Sequence, residues 1–104
     1  MSFTPLENLS ALHDGYKKAF TVNNIQLLLI QHMGERILIE NKCPHMDVSL
    51  DTGQVLDDGA IRCRAHGIEF DLASGQAKGP LANTLACLKR FKLVYDGNKI
   101  GVEL

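Results

Sequence analysis

Two short segments, Cys43-Pro44-His45 and Cys63-Arg64-Ala65-His66, each join a cysteine to a histidine, with seventeen residues between them. This pairing constrains the fold more than any other feature of the chain. Soft ligands at two separate points act together only if the fold brings both to one place. Short loops on a rigid scaffold do this well, so the elements that flank the two segments come next.

The flanking sequence reads as short strands rather than helices. Lys17–Val22 is a first strand and Asn23-Asn24 a turn. Residues 25–31 are strongly apolar, Met33-Gly34-Glu35 is another turn, and residues 36–40 form a return strand rich in isoleucine. Asp57-Asp58-Gly59 is a turn signal before Ala60-Ile61-Arg62, which leads straight into Cys63. Ile68, Phe70 and Leu72 then alternate with Glu69 and Asp71, the period of a strand with one buried face. Residues 73–80 are a glycine-rich loop. Residues 85–95 pair with 98–104 across Asp96-Gly97, a strong hairpin signal. The one helix candidate is residues 5–12. Many short strands at close spacing predict an all-β antiparallel sandwich or barrel, with both Cys/His segments on loops after strand ends.

The chain has 104 residues, enough for one domain over 1–104 with a modest core. Its 11 basic and 12 acidic residues leave a net charge of -1, and no basic run stands out, so no nucleic-acid partner is expected. The longest apolar run, Leu27-Leu28-Leu29-Ile30, is far too short to cross a bilayer. The first ten residues show no signal-peptide pattern and the last five no prenylation motif. A cytoplasmic, membrane-free location is the expectation. Three cysteines with no sign of secretion make a disulfide framework a poor reading and a metal a better one.

Two thiolates and two imidazoles suit zinc, copper or iron–sulfur chemistry. Structural zinc sites usually pair like ligands within each short motif. Here each motif supplies one Cys and one His. A binuclear cluster with thiolates on one iron and imidazoles on the other would draw one of each from each loop.

CPHMD together with CRAHGIEFDLASGQAKGP resembles the Rieske [2Fe-2S] family, in particular its small soluble ferredoxins. The resemblance covers at least residues 36–104, including the glycine after His66, the Phe70-Asp71 and Gly75 pattern, and the Gly79-Pro80 loop that helps shield the cluster in the family. It implies a Rieske-like antiparallel β-sandwich of short strands with two cluster-binding loops at one end. It implies one [2Fe-2S] cluster per chain, with Cys43 and Cys63 on the inner iron and His45 and His66 on the outer iron. Neutral imidazoles in place of two thiolates raise the reduction potential. The imidazoles keep one ring nitrogen free to titrate, so the potential should fall as pH rises above the histidine pKa of the oxidised state.

Departures from the respiratory branch of the family are informative. The cysteines of its inter-loop disulfide would fall at Val48 and Ala65, so that bridge is impossible here. Its hydroxyl donors would fall at Ile68 and Phe70. Fewer donors to sulfur predict a potential in the lower part of the range of roughly −150 to +300 mV. Arg64 stands where many relatives have proline, either as a docking residue or simply solvated.

By resemblance, the chain is a one-electron carrier and not itself an enzyme. It would pass electrons from a ferredoxin reductase to a terminal oxygenase such as a ring-hydroxylating dioxygenase, as a mobile monomer. Docking would use a small apolar rim of Pro44, Met46, Gly67, Ile68, Pro80 and Leu81. Two other readings stay open: the small subunit of an assimilatory nitrite reductase, and a structural zinc-binding module. Elsewhere the plain readings are the expectation. Cys87 is a small buried residue in a strand. His13 and His32 are exposed and not ligands. Asp47, Asp51, Asp57 and Asp58 form a solvated acidic face.

Overall fold

Leu27-Leu28-Leu29-Ile30 is apolar without alternation because its strand is buried on both faces. The computed structural model describes residues 3–44, 48–64, 67–79 and 87–104. Strands β2 (Lys17–Val22), β3 (Ile25–His32), β4 (Glu35–Glu40) and the short β8 (Arg90–Phe91) form an antiparallel sheet in that order. Leu28 pairs with Ile39 and Ile30 with Ile37 on one face, while Leu29 pairs with Leu38 on the other. The first face packs with Ile61 and Phe70 from the sheet of β5 (Gln54–Val55), β6 (Ala60–Arg62) and β7 (Glu69–Asp71). The second packs with Ile100 and Val102 from the sheet of β1 (Phe3–Asn8), β10 (Lys99–Glu103) and β9 (Val94–Asp96). A strand covered on both sides needs apolar residues at every position, and each fully buried Leu or Ile contributes about 1.5–3 kcal/mol over an exposed one.

Turn chemistry sets the registers. Val22 pairs with Ile25, so Asn23 and Asn24 are the whole loop, at φ 51° and 66°. Two successive left-handed residues give the hairpin turn whose twist matches its strands, and asparagine tolerates that region better than most residues. Met33 and Gly34, at φ 49° and 82°, repeat the geometry between β3 and β4. Asp96 pairs with Lys99, so the loop of the last hairpin is Gly97-Asn98, one residue beyond the expected Asp96-Gly97.

Two expectations are corrected. Residues 5–12 are not a helix: β1 runs through Asn8 and a 3₁₀ turn follows at Leu9–Ala11. Eight residues beginning with a proline are too short to hold a helix alone, and pairing with β10 prevails. Pro5 is tolerated on this edge strand beside a bulge between Pro5 and Glu7. Residues 85–95 are not one strand either. Within the described part, β8 pairs with β4, β9 pairs with β10, and the chain changes sheet at Lys92-Leu93, where Leu93 packs into the second core cluster.

Behind β2, the Tyr16 hydroxyl donates to the Glu7 carboxylate at 2.8 Å. That bond, helped by the Asn8 N–H, holds the Glu7 carboxyl below its usual range, while burial and the same carboxylate push the Tyr16 phenol well above its own. The pair ties β1 to the central sheet on the face remote from the cysteines.

Candidate metal centre

β4 and β6 end where the two Cys/His segments begin. Asn41 and Lys42 carry the chain from Glu40 to Cys43, and Cys63 directly follows Arg62. Both cysteines belong to the apolar cluster between the central sheet and β5–β7, at 0% and 1% exposure, and neither forms a disulfide. The fold therefore brings together two thiols separated by twenty positions.

The two loops are closed in the same way. The Cys43 N–H donates to Val48 O at 2.8 Å, and the Cys63 N–H donates to Ile68 O at 2.8 Å. Each bond spans five residues. Val48 and Ile68 then pack, half-buried, against the cluster that holds the cysteines. In the second loop the Gly67 N–H returns to Cys63 O at 2.9 Å, and Gly67 takes a left-handed φ of 67° that favours glycine. His45 and His66 fall within these spans in the sequence and lie outside the described residues, as do Met46, Asp47, Ala65, Pro80 and Leu81. Of the expected rim, Gly67 is exposed and Pro44 and Ile68 are half-buried. Arg64 is exposed.

A close backbone approach links the loops. Gly53 ends the 3₁₀ turn Leu50–Thr52, and Gln54 pairs with Arg62. A Cβ on Gly53 would lie 2.4 Å from Arg62 O, so only glycine fits against the residue before Cys63. The Lys17 ammonium donates to Gly53 O and fastens the same point to β2. Behind Cys63, Phe70 is fully buried and Ile68 half-buried, and neither carries a hydroxyl.

The donor set fits a soft metal group. Two buried thiols with no disulfide, at the mouths of matching loops and within one apolar cluster, are what thiolate ligation asks of a fold. Among the described residues no group of three or more Cys, His, Asp or Glu could hold a metal. His13 is exposed and His32 half-buried, its Nε2 3.3 Å from Asp57 O. Asp57 and Asp58 are exposed, and Asp58 pairs with Lys78 at 2.5 Å. Asp51 departs from the expected acidic face: it is half-buried, and its Oδ1 is buried without a hydrogen-bond partner. Cys87 is also corrected. It is exposed and lies in irregular chain before β8, because the pairing with β4 begins only at Arg90. No helix among the described residues is long and apolar enough to cross a membrane.

The Rieske [2Fe-2S] domain matches residues 2–91, and the chain belongs to this family. Its cofactor is accordingly a Rieske-type [2Fe-2S] cluster. The ferredoxin component of the alkene monooxygenase system of Xanthobacter autotrophicus is 36% identical over 89 residues, 86% of this chain and 70% of that protein. The ferredoxin of carbazole 1,9a-dioxygenase from Nocardioides aromaticivorans superposes with a TM-score of 0.83 over 98% of this chain and 97% of that one, at 23% identity. A protein assigned as a nitrite reductase NADPH small subunit superposes over the whole of both chains with a TM-score of 0.79, at 17% identity. The two structural likenesses are likenesses of fold.

Proposed function

We propose that this protein is a one-electron carrier whose cluster is held by Cys43, His45, Cys63 and His66, and that it passes electrons from a reductase to a terminal oxygenase. The observation that carries the reading is the pair of buried cysteines at the mouths of two loops that share the same N–H-to-carbonyl closure five residues on, in a chain of the Rieske family. When bound, the cluster supplies a site that gains and loses one electron. The chain keeps water from the sulfurs and holds the two loops at fixed backbone geometry. His45 and His66, one from each loop, complete the ligand set. No side chain is needed for bond-making chemistry, so the protein acts as a component of an oxidoreductase system.

The relative at 36% identity is a ferredoxin component of an alkene monooxygenase system, which favours an oxygenase as the electron acceptor. The nitrite-reductase reading has a likeness of fold at 17% identity behind it and no residue-level support. A zinc module would not require the family's cluster.

Ile68 and Phe70 offer no hydroxyl to the cluster sulfurs, and the inner ligands sit in an apolar cluster. Both features disfavour the added negative charge of the reduced state. A potentiometric titration followed by visible absorbance tests the proposal. The expected result is a single one-electron wave in the lower half of the range of roughly −150 to +300 mV. A colourless protein with stoichiometric zinc and no wave would overturn it.

A further inference from the structure

We propose that Asn41 is the positioning residue of the first cysteine loop, doing with one side chain what a strand ladder does for the second; the inference rests on the cluster assignment above. The two loops differ in what flanks them. Cys63 and Ile68 lie between β6 and β7, whose ladder pairs Arg62 with Glu69 and closes the second loop at its base. The first loop runs from β4 to β5, which belong to different sheets, so no ladder can close it.

Asn41 supplies the missing tie. Among the described residues it is the one polar side chain in the core, 6% exposed. Its Oδ1 accepts the backbone N–H groups of Leu50 and Asp51, both at 2.9 Å. These are the first residues of the 3₁₀ turn, whose leading N–H groups have no partner within the turn. Ser49, at the local capping position, makes no side-chain cap. The acceptor comes instead from nine and ten residues upstream. Asn41 is itself anchored, because its own N–H donates to Gln26 O at 2.8 Å and prolongs the β3–β4 pairing by one residue. The Cys43-to-Val48 bond is thus nested inside an outer tie from a rigid strand end to Leu50 and Asp51. The outer tie fixes where the Cys43 backbone starts and where the loop must return.

Asn41→Ala leaves the buried Leu50 N–H and the part-buried Asp51 N–H unpaired, whereas Asn41→Asp keeps an acceptor for both. The experiment compares the holoproteins for cluster loss to a chelator, for the electron paramagnetic resonance (EPR) spectrum after dithionite, and for midpoint potential. Gly101→Ala serves as a control for plain destabilisation. A Cβ there would lie 2.1 Å from Thr4 O, on the sheet remote from the cysteines. Asn41→Ala should lose the cluster at least about tenfold faster than wild type, with a shifted spectrum and potential. Asn41→Asp should restore chelator resistance and spectrum towards wild type, with a lower potential from its added negative charge, and Gly101→Ala should leave spectrum and potential unchanged. If Asn41→Ala does not fold, hydrogen exchange on the wild-type holoprotein decides: the Leu50 and Asp51 amides should exchange far more slowly than exposed amides, and rapid exchange would overturn the tie. A cluster-loaded Asn41→Ala protein with wild-type spectrum, potential and chelator resistance would overturn it as well. A wild-type protein that takes up no cluster would instead overturn the carrier reading itself.

Discussion

Serine at Cys43 or Cys63 should give a protein without colour and without an EPR signal after dithionite. A hydroxyl oxygen is a hard, weakly acidic donor and does not replace a thiolate on iron. The same exchange puts a hydroxyl into an apolar cluster at 0% or 1% exposure. An unsatisfied buried hydroxyl costs about 1–3 kcal/mol. For a domain of this size each kcal/mol lowers Tm by roughly 4–8 °C, so the variants should also melt earlier than a wild-type protein stripped of its cluster. Cys87→Ser is the matched control. That side chain is exposed, and its replacement should keep full colour and change stability by less than about 0.5 kcal/mol. Absorbance, EPR and thermal unfolding of the three variants check the contrast. A coloured Cys63→Ser protein would remove the inner-iron assignment.

Gly53→Ala should be nearly as damaging although it touches no ligand. The new Cβ would meet Arg62 O at 2.4 Å and Leu50 O at 3.1 Å, both backbone atoms that cannot swing away. Overpacking of this kind costs about 1–3 kcal/mol. Here the cost falls on the contact that joins the end of one cysteine loop to the start of the other. Gly53→Ala should therefore lower Tm by roughly 5–20 °C and bleach during heating well before the sheets unfold, as followed by visible absorbance beside far-ultraviolet circular dichroism. Coincident loss of colour and sheet would show that Gly53 serves overall stability without a local role at the loops.

Much of this was legible in the sequence because the signals were local. The Asn23-Asn24 turn, the Met33-Gly34-Glu35 turn to within its last residue, the alternation through Ile68, Phe70 and Leu72, and the placing of both Cys/His segments after strand ends all follow from short-range pattern. The failures share a cause, which is dependence on partners distant in the chain. Residues 5–8 join a strand through β10, some ninety residues away, and a 3₁₀ turn follows. Residues 85–95 are divided because β4 and β10 claim different parts of them. A cysteine in a strand reads as a small buried hydrophobe, yet Leu88 faces the core and Cys87 does not. Asn41 passed unnoticed for the same reason. An asparagine between Glu40 and Lys42 looks like surface, and only the absence of a β4–β5 ladder makes its carbonyl oxygen necessary. An asparagine directly after a strand end and two residues before a loop cysteine is the sequence signal that points to it.

Pulsed EPR on the dithionite-reduced protein, grown with ordinary and with ¹⁵N-labelled histidine, tests the central assignment most directly. The account predicts two strongly coupled nitrogens that change character on labelling, one lost in His45→Ala and the other in His66→Ala if those variants retain iron. A reduced cluster with no histidine nitrogen coupling would contradict ligation by one cysteine and one histidine from each loop, and with it the carrier as described.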